Sequence, residues 1–338
     1  MQYTPATGTN TGIGLQDHAL IGTAANIPTS PETPVVSVSP VVLHIPGRAV
    51  DLQLRVSAPT TGDNLPIILL SHGHGRSNNL SSLNGYGPLA NFWAAHGFIV
   101  IQPTHLSSKT LSLDPKTPGA PLFWRSRAQD MKSILDQLDA IEARVPEIKG
   151  RLDRSRIAVA GVSMGALTAS MLLGARVTDP TDPTNGTEVD MAEPRIKAGV
   201  LLSAPGKGGA DLSAVAAQFS YFLDPNFASM TKPALVVAGD QDSGGMTVRD
   251  ADWHTDPYFL SPGPKSLLML FGAKHLLGGV SGYDAAETTD ENPERVALIQ
   301  RLTWAYLRTA LSPEDPAWPA ARTALLESPS PLGRIESR

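Results

Sequence analysis

Gly161-Val162-Ser163-Met164-Gly165 is the stretch of this chain with the clearest capacity for chemistry. A serine hydroxyl held clear of the backbone at the tip of a tight turn can act as a nucleophile. The glycine on either side keeps side chains out of the space where two segments nearly touch. Arg156 to Ala160 reads as a short buried strand and Ala166 to Ala175 as a small-residue helix. A strand, a sharp turn and a helix form the elbow that presents such a serine, whereas the same five residues without those flanks would be an ordinary glycine-rich turn.

A serine hydroxyl needs a base to take its proton and a carboxylate to orient that base. After a nucleophile elbow the acid and then the histidine follow in chain order. Only His254 and His275 come after Ser163, and His275, just past the last expected strand, is the expected base. His254 falls in a loop between strands. For the acid, Val236-Val237-Ala238-Gly239-Asp240-Gln241-Asp242 puts two carboxylates at one strand end; Asp242 is the choice and Asp240 the reserve, and spacing alone does not separate them. An aspartate at a strand end is also a common turn former.

Charge developing on a substrate oxygen requires backbone N–H donors. One is expected from Met164, after the nucleophile, and one from His74 in the glycine-rich run Ser71-His72-Gly73-His74-Gly75. The His72 side chain reads as a buried imidazole bracing that loop. His72-x-His74 after a strand also resembles the start of a hydrolytic metal site, with Asp240, Asp242, His105 or His275 as a third ligand. No H-x-x-x-H or H-x-E companion exists and Ser163 would be left idle, so neither a metal nor any other cofactor is expected. Among the aromatics, Trp93 reads as core, and Trp124, Phe123 and Tyr86 as candidates to line a substrate pocket. Arg127 and Asp130 read as members of structural pairs.

Composition narrows the partners. Hydrophobic residues at 41% and charged residues at 17% fit a soluble globular chain, and no apolar run approaches a membrane span. A net charge of −5 with no basic block argues against nucleic acid or an anionic membrane. The absence of cysteine excludes disulfides and thiolate chemistry. Residues 1 to 34 lack the basic start and apolar centre of a signal peptide, which leaves localisation open between cytoplasm and secretion after cleavage. Oligomeric state is not legible.

The elements around the elbow alternate. After an irregular arm over 1–34, Val35 to Ile45 and Val50 to Val56 read as an antiparallel edge pair turning at Pro46-Gly47. Leu65 to Leu70 and Phe98 to Ile101 read as buried strands, with a helix from Pro88 between them. A long loop then leads to a helix over Arg125 to Val145. Thr178 to Pro194 reads as a solvated excursion. Strands follow at Ala198 to Leu202, Ala234 to Val237 and Ser266 to Leu270, and a last helix starts at Asn292-Pro293. The expected fold is α/β: a mostly parallel sheet of about eight strands with helices on both faces, one domain over 35–311, and a peripheral tail over 312–338.

On these residues the chain resembles the α/β-hydrolase superfamily. Leu65 to about Ala175 is similar to bacterial relatives of platelet-activating-factor acetylhydrolase, chlorophyllase and dienelactone hydrolase. The resemblance is carried by Leu70 to Gly75, Ala95-His96-Gly97-Phe98-Ile99-Val100 with His105, the helix with Arg127 and Asp130, and Gly161 to Gly165. In the acetylhydrolase and chlorophyllase branches the acid tends to follow the sixth strand. Here that strand runs into Ser203-Ala204-Pro205, with no carboxylate before Asp211. Gly239 to Asp242 and Gly272 to His275 look more like dienelactone hydrolases and bacterial polyester-degrading cutinases. The resemblance implies a serine esterase acting on a small-molecule ester, and this sequence shows no large cap insertion between Ala204 and Pro233. Amidase or lactonase chemistry with the same groups, and a non-enzymatic binding protein on this fold, are the alternatives.

Overall fold

Buried apolar residues on both sides of successive strands give one sheet with two covered faces. The computed structural model describes residues 21–75, 77–179, 186–218, 224–282 and 285–338. The strands are β1 (Val35–Leu43), β2 (Leu52–Pro59), β3 (Leu65–Ser71), β4 (Ile99–Pro103), β5 (Leu152–Val162), β6 (Arg176–Thr178), β7 (Glu188–Asp190), β8 (Ile196–Leu202), β9 (Ala234–Gly239), β10 (Lys265–Leu270) and β11 (Gly333–Ser337). Nine of them form the central sheet, in the order β1-β2-β4-β3-β5-β8-β9-β10-β11. From β4 to β10 every neighbouring pair is parallel, and β1, β2 and β11 add antiparallel edges.

Side chains alternate across this sheet with a period of two. In β3, Ile67 and Leu69 face one core while Ile68 and Leu70 face the other. The first face is covered by the helices Trp124–Asp136, Leu138–Arg144 and Met164–Leu173, through Met131, Ile134, Ile141, Leu167 and Met171. The second is covered by α1 (Gly87–Ala95) and the long helix Pro293–Leu311, through Leu89, Trp93, Ile299 and Leu302. Trp93 is fully buried, and its indole N–H donates to Thr303 Oγ1 at 3.1 Å, tying these two helices together. Asn292 caps the long helix by accepting from Arg295 N–H, with Pro293 in its first turn.

Several elements differ from expectation. The helix expected over Arg125 to Val145 is broken at Gln137, whose N–H is shared between Ser133 O and Ile134 O. The tail is not peripheral. Ala317–Leu326 is a helix whose Trp318, Ala321 and Leu325 are buried, and β11 closes the sheet by pairing antiparallel to β10, Ile335 opposite Leu268. Gly333-Arg334-Ile335-Glu336-Ser337 carries a single large apolar residue, so its pattern gives little strand signal, and only the open edge of β10 recruits it.

Within the excursion, β6 and β7 pair as a short antiparallel ribbon, while 180–185 lie outside the described residues. Residues 1–20 of the arm also lie outside them. The described part packs on the long helix: Ala24 and Ile27 are buried, Thr23 donates to Glu294 and Arg301 donates to Ile27 O. Between Ala204 and Pro233 the described residues hold only short 3₁₀ turns, Gly209–Asp211 and Ala216–Gln218. Among the described residues no helix is long and apolar enough to cross a membrane.

Candidate active site

The strand β5 ends in a turn that only small neighbours permit. A Cβ on Gly161 would lie 2.0 Å from Gly165 O, and one on Gly165 would lie 2.0 Å from Ser71 O. Both are far inside van der Waals contact. That packing forces Ser163 to φ 55°, ψ −119°, a conformation costly for a residue with a side chain. Its N–H donates to Leu202 O at 2.8 Å, and its side chain stands half-buried at the start of the helix Met164–Leu173.

Ser163, His275 and Asp242 come together. Ser163 Oγ lies 2.9 Å from His275 Nε2, and His275 Nδ1 lies 2.9 Å from Asp242 Oδ2. A carboxylate only accepts, so Nδ1 carries the proton donated to Asp242 and Nε2 offers a lone pair to the serine O–H. Asp242 follows β9, with its N–H turned back to Gly239 O, and is buried. His275 follows β10 on a loop held by Ser203 Oγ, which donates to His275 O; its side chain is 40% exposed. Asp240 is excluded from this chain of bonds. It is exposed and accepts from Gly272 N–H at 2.7 Å, pinning the loop after β10.

Burial disfavours a charge on Asp242, but the hydrogen bonds and charges of His254 and His275 overrule it and hold the carboxyl well below the ordinary range. Burial also opposes charge on His275. The hydrogen bond and negative charge of Asp242, with Asp290 adding to them, raise its pKa above the ordinary value of 6.5. The pair therefore favours a proton on the imidazole.

His254, read from the sequence only as the less favoured base, has a place at the site that the sequence did not foretell. It is not remote from Ser163's partners: its Nε2 lies 3.1 Å from Asp242 Oδ2, its Nδ1 lies 2.8 Å from Ala204 O, and it is buried. Its place in a 3₁₀ turn, Ala251–Thr255, carries no pattern that announces this convergence. Asp242, His254 and His275 each offer a ligand atom, all within 4.8 Å of one another.

The loop after β3 runs beside Ser163, since a Cβ on Gly73 would lie 3.6 Å from Ser163 Cβ. Gly73 N–H is already committed to Tyr86 Oη at 2.9 Å. Among the described residues the N–H groups of His74 and Met164 have no hydrogen-bond acceptor, so they remain the available donors. Tyr86 is fully buried, with its phenol pushed up by burial; it supports the loop from beneath rather than lining a pocket.

His72 is a buried brace. Its Nδ1–H donates to Gly73 O at 2.6 Å and its Nε2 accepts from His105 N–H at 3.0 Å, so both nitrogens are used within the loop's own support. Burial, with Arg127 adding to it, keeps the ring neutral, its pKa well below 6.5. Neither nitrogen is left for a metal at His72-x-His74. Beneath it, Ser71 Oγ lies 2.9 Å from His105 Nε2 and His105 Nδ1 lies 2.9 Å from Asp130 Oδ2. This repeats the residue types at Ser163, yet all three are buried. Asp130 pairs with Arg48 at 2.8 Å, while Arg127 donates to Ser107, Thr168, Ser71 and His72 O.

Phe123 and Trp124 line a cavity of about 550 Å³ with Ile45, Leu106 and Pro118 and with the polar Arg48 and Asp130. Neither Ser163 nor His275 lines it, so this cavity and the serine do not form one pocket. The chain matches no protein-family model, and no curated protein matches it.

Proposed function

We propose that this protein is a serine esterase of the α/β-hydrolase class, cleaving carboxylic esters through an acyl-enzyme. One observation carries the reading: the unbroken hydrogen-bonded chain Asp242–His275–Ser163, with the serine on a strained, glycine-flanked turn. The parallel sheet with helices on both faces, and the acid and base each following a later strand, support the same class.

Ser163 Oγ attacks the ester carbonyl as its proton passes to His275 Nε2. Asp242 fixes the tautomer and stabilises the imidazolium. The oxyanion accepts from Met164 N–H and His74 N–H. The tetrahedral intermediate collapses, the C–O bond to the alcohol breaks, and His275 gives its proton to the leaving alkoxide. A water then loses a proton to His275 and attacks the acyl carbon, and the acid leaves with Ser163 restored. No step requires a cofactor.

Hydrolysis of p-nitrophenyl esters over a range of acyl lengths, by wild type and Ser163→Ala in parallel, tests this. Turnover by wild type that falls at least ~10³-fold in Ser163→Ala is expected. Equal turnover by the two, or none by wild type on any ester, overturns the reading.

A further inference from the structure

His254 poses a chemical problem that its position on Asp242 makes acute. Its Nδ1 lies 2.8 Å from Ala204 O, a carbonyl that can only accept, so Nδ1 carries the ring proton. Nε2 faces Asp242 Oδ2 at 3.1 Å, so that contact is an ion pair when Nε2 carries a second proton and offers a lone pair beside the carboxylate when it does not. Oδ1 of the same carboxylate is buried with no hydrogen-bond partner among the described residues. A metal ion among these atoms can take the place of that second proton.

We propose that Asp242, His254 and His275 form a site for one divalent cation of the zinc class, and that filling it switches the Ser163 site off. The donor set is one carboxylate and two imidazoles, which zinc takes readily and magnesium does not. A ring whose second nitrogen donates to a backbone carbonyl, as His254 does to Ala204 O, is the usual outer support of a metal-bound histidine. The three ligand atoms lie within 4.8 Å of one another. To share an ion at ~2.0–2.2 Å they draw closer, to roughly 3.3 Å apart. His254 and Asp242 are buried, so His275, 40% exposed on its loop, is the ligand that moves, and the ion enters from its side.

The switch is a matter of tautomer. In the resting site His275 holds its proton on Nδ1 and offers Nε2 to Ser163. A metal on Nδ1 takes that lone pair, and the displaced proton returns through water to Nε2, so no net proton is released. A ring carrying Nε2–H has nothing with which to accept the serine proton. Ser163 then loses its base without being touched.

The inhibitory half of this proposal rests on the esterase reading; the binding half does not, and the experiment separates them. Zinc binding is measured on the Ser163→Ala protein by competition with a zinc-responsive dye. One ion per chain is expected, with affinity falling at least tenfold when His254→Gln is added. His275→Ala, at a half-buried loop position, serves as the second ligand deletion should His254→Gln fail to fold. On wild type, micromolar free zinc is expected to suppress ester turnover with a midpoint matching that dissociation constant. Chelator restores the rate, and magnesium leaves it unchanged.

Zinc bound equally well after either deletion overturns the site. No stoichiometric binding overturns it too, most directly with two N–H signals on the His254 ring by nitrogen NMR, which would make the cation a proton. Histidine-dependent zinc binding by a protein without ester turnover would overturn the esterase reading and leave the metal site standing.

Discussion

Asp242 reaches His275 through a single oxygen, Oδ2, at 2.9 Å, while Asp240 turns the other way and accepts from Gly272 N–H. Two carboxylates at the end of one strand thus have separate tasks. Asp242→Asn is expected to lower kcat/KM by roughly 10⁴-fold, because the amide can favour the wrong imidazole tautomer. Asp240→Asn, still able to accept from Gly272, should cost less than tenfold, close to the cost of a surface substitution. Steady-state kinetics of the two variants on one ester decides this, and a larger loss in Asp240→Asn would reverse the assignment.

The pH profile follows from the same pair. His275 must be neutral to act as base, so activity falls as pH drops through its pKa. Asp242 and Asp290 raise that pKa above 6.5, placing the acid limb of kcat/KM above the ordinary histidine value. Removing the negative charge with Asp242→Asn moves the limb to lower pH as well as lowering the plateau. A limb that stays in place in the variant would show that another group titrates.

Gly165→Ala tests the elbow as packing rather than chemistry. Its new Cβ meets Ser71 O, which belongs to the strand β3 and cannot move aside as a side chain can. The expected cost is roughly 3 kcal/mol or more, read as a lower urea midpoint with unchanged slope. Near-native stability would mean that the turn relaxes.

Arg48→Ala exposes the cost of the buried carboxyl beneath the loop. Burial lifts Asp130 to about 6 against the pull of Arg48 and Arg127. Between the unfolded value near 3.8 and that folded value the native state binds more protons, so stability falls as pH rises through this window. Without Arg48 the folded pKa climbs further and the loss extends to higher pH. The variant should therefore be destabilised more at pH ~8 than at pH ~5, by roughly 3–5 kcal/mol at the upper end. Urea unfolding at both values measures this, and an equal loss at both would separate Arg48 from the Asp130 charge.

By itself, the sequence determined what depends on neighbours along the chain. The apolar runs at Leu65 to Leu70, Ile157 to Ala160 and Ala234 to Val237 require strands buried on both faces, and glycines on either side of Ser163 leave few shapes for that turn. Chain order narrowed the expected base to His254 and His275, and the place of His275 just past the last apolar run favoured it. What depends on distant segments meeting was decided by tertiary structure alone. Asp240 and Asp242 share one strand end, and only the backbone turn after Gly239 selects which carboxylate faces the imidazole. The polar segment Gly333–Ser337 becomes a strand only because β10 presents an unpaired edge. Phe123 and Trp124 share a cavity with Leu106 and Pro118 from the long loop after β4 and with Ile45 from the turn after β1, a meeting that no local pattern relates. His254 reaches Asp242 for the same reason: its imidazole is oriented by Ala204 O, a carbonyl from another strand's end, and that contact exists only in the folded sheet.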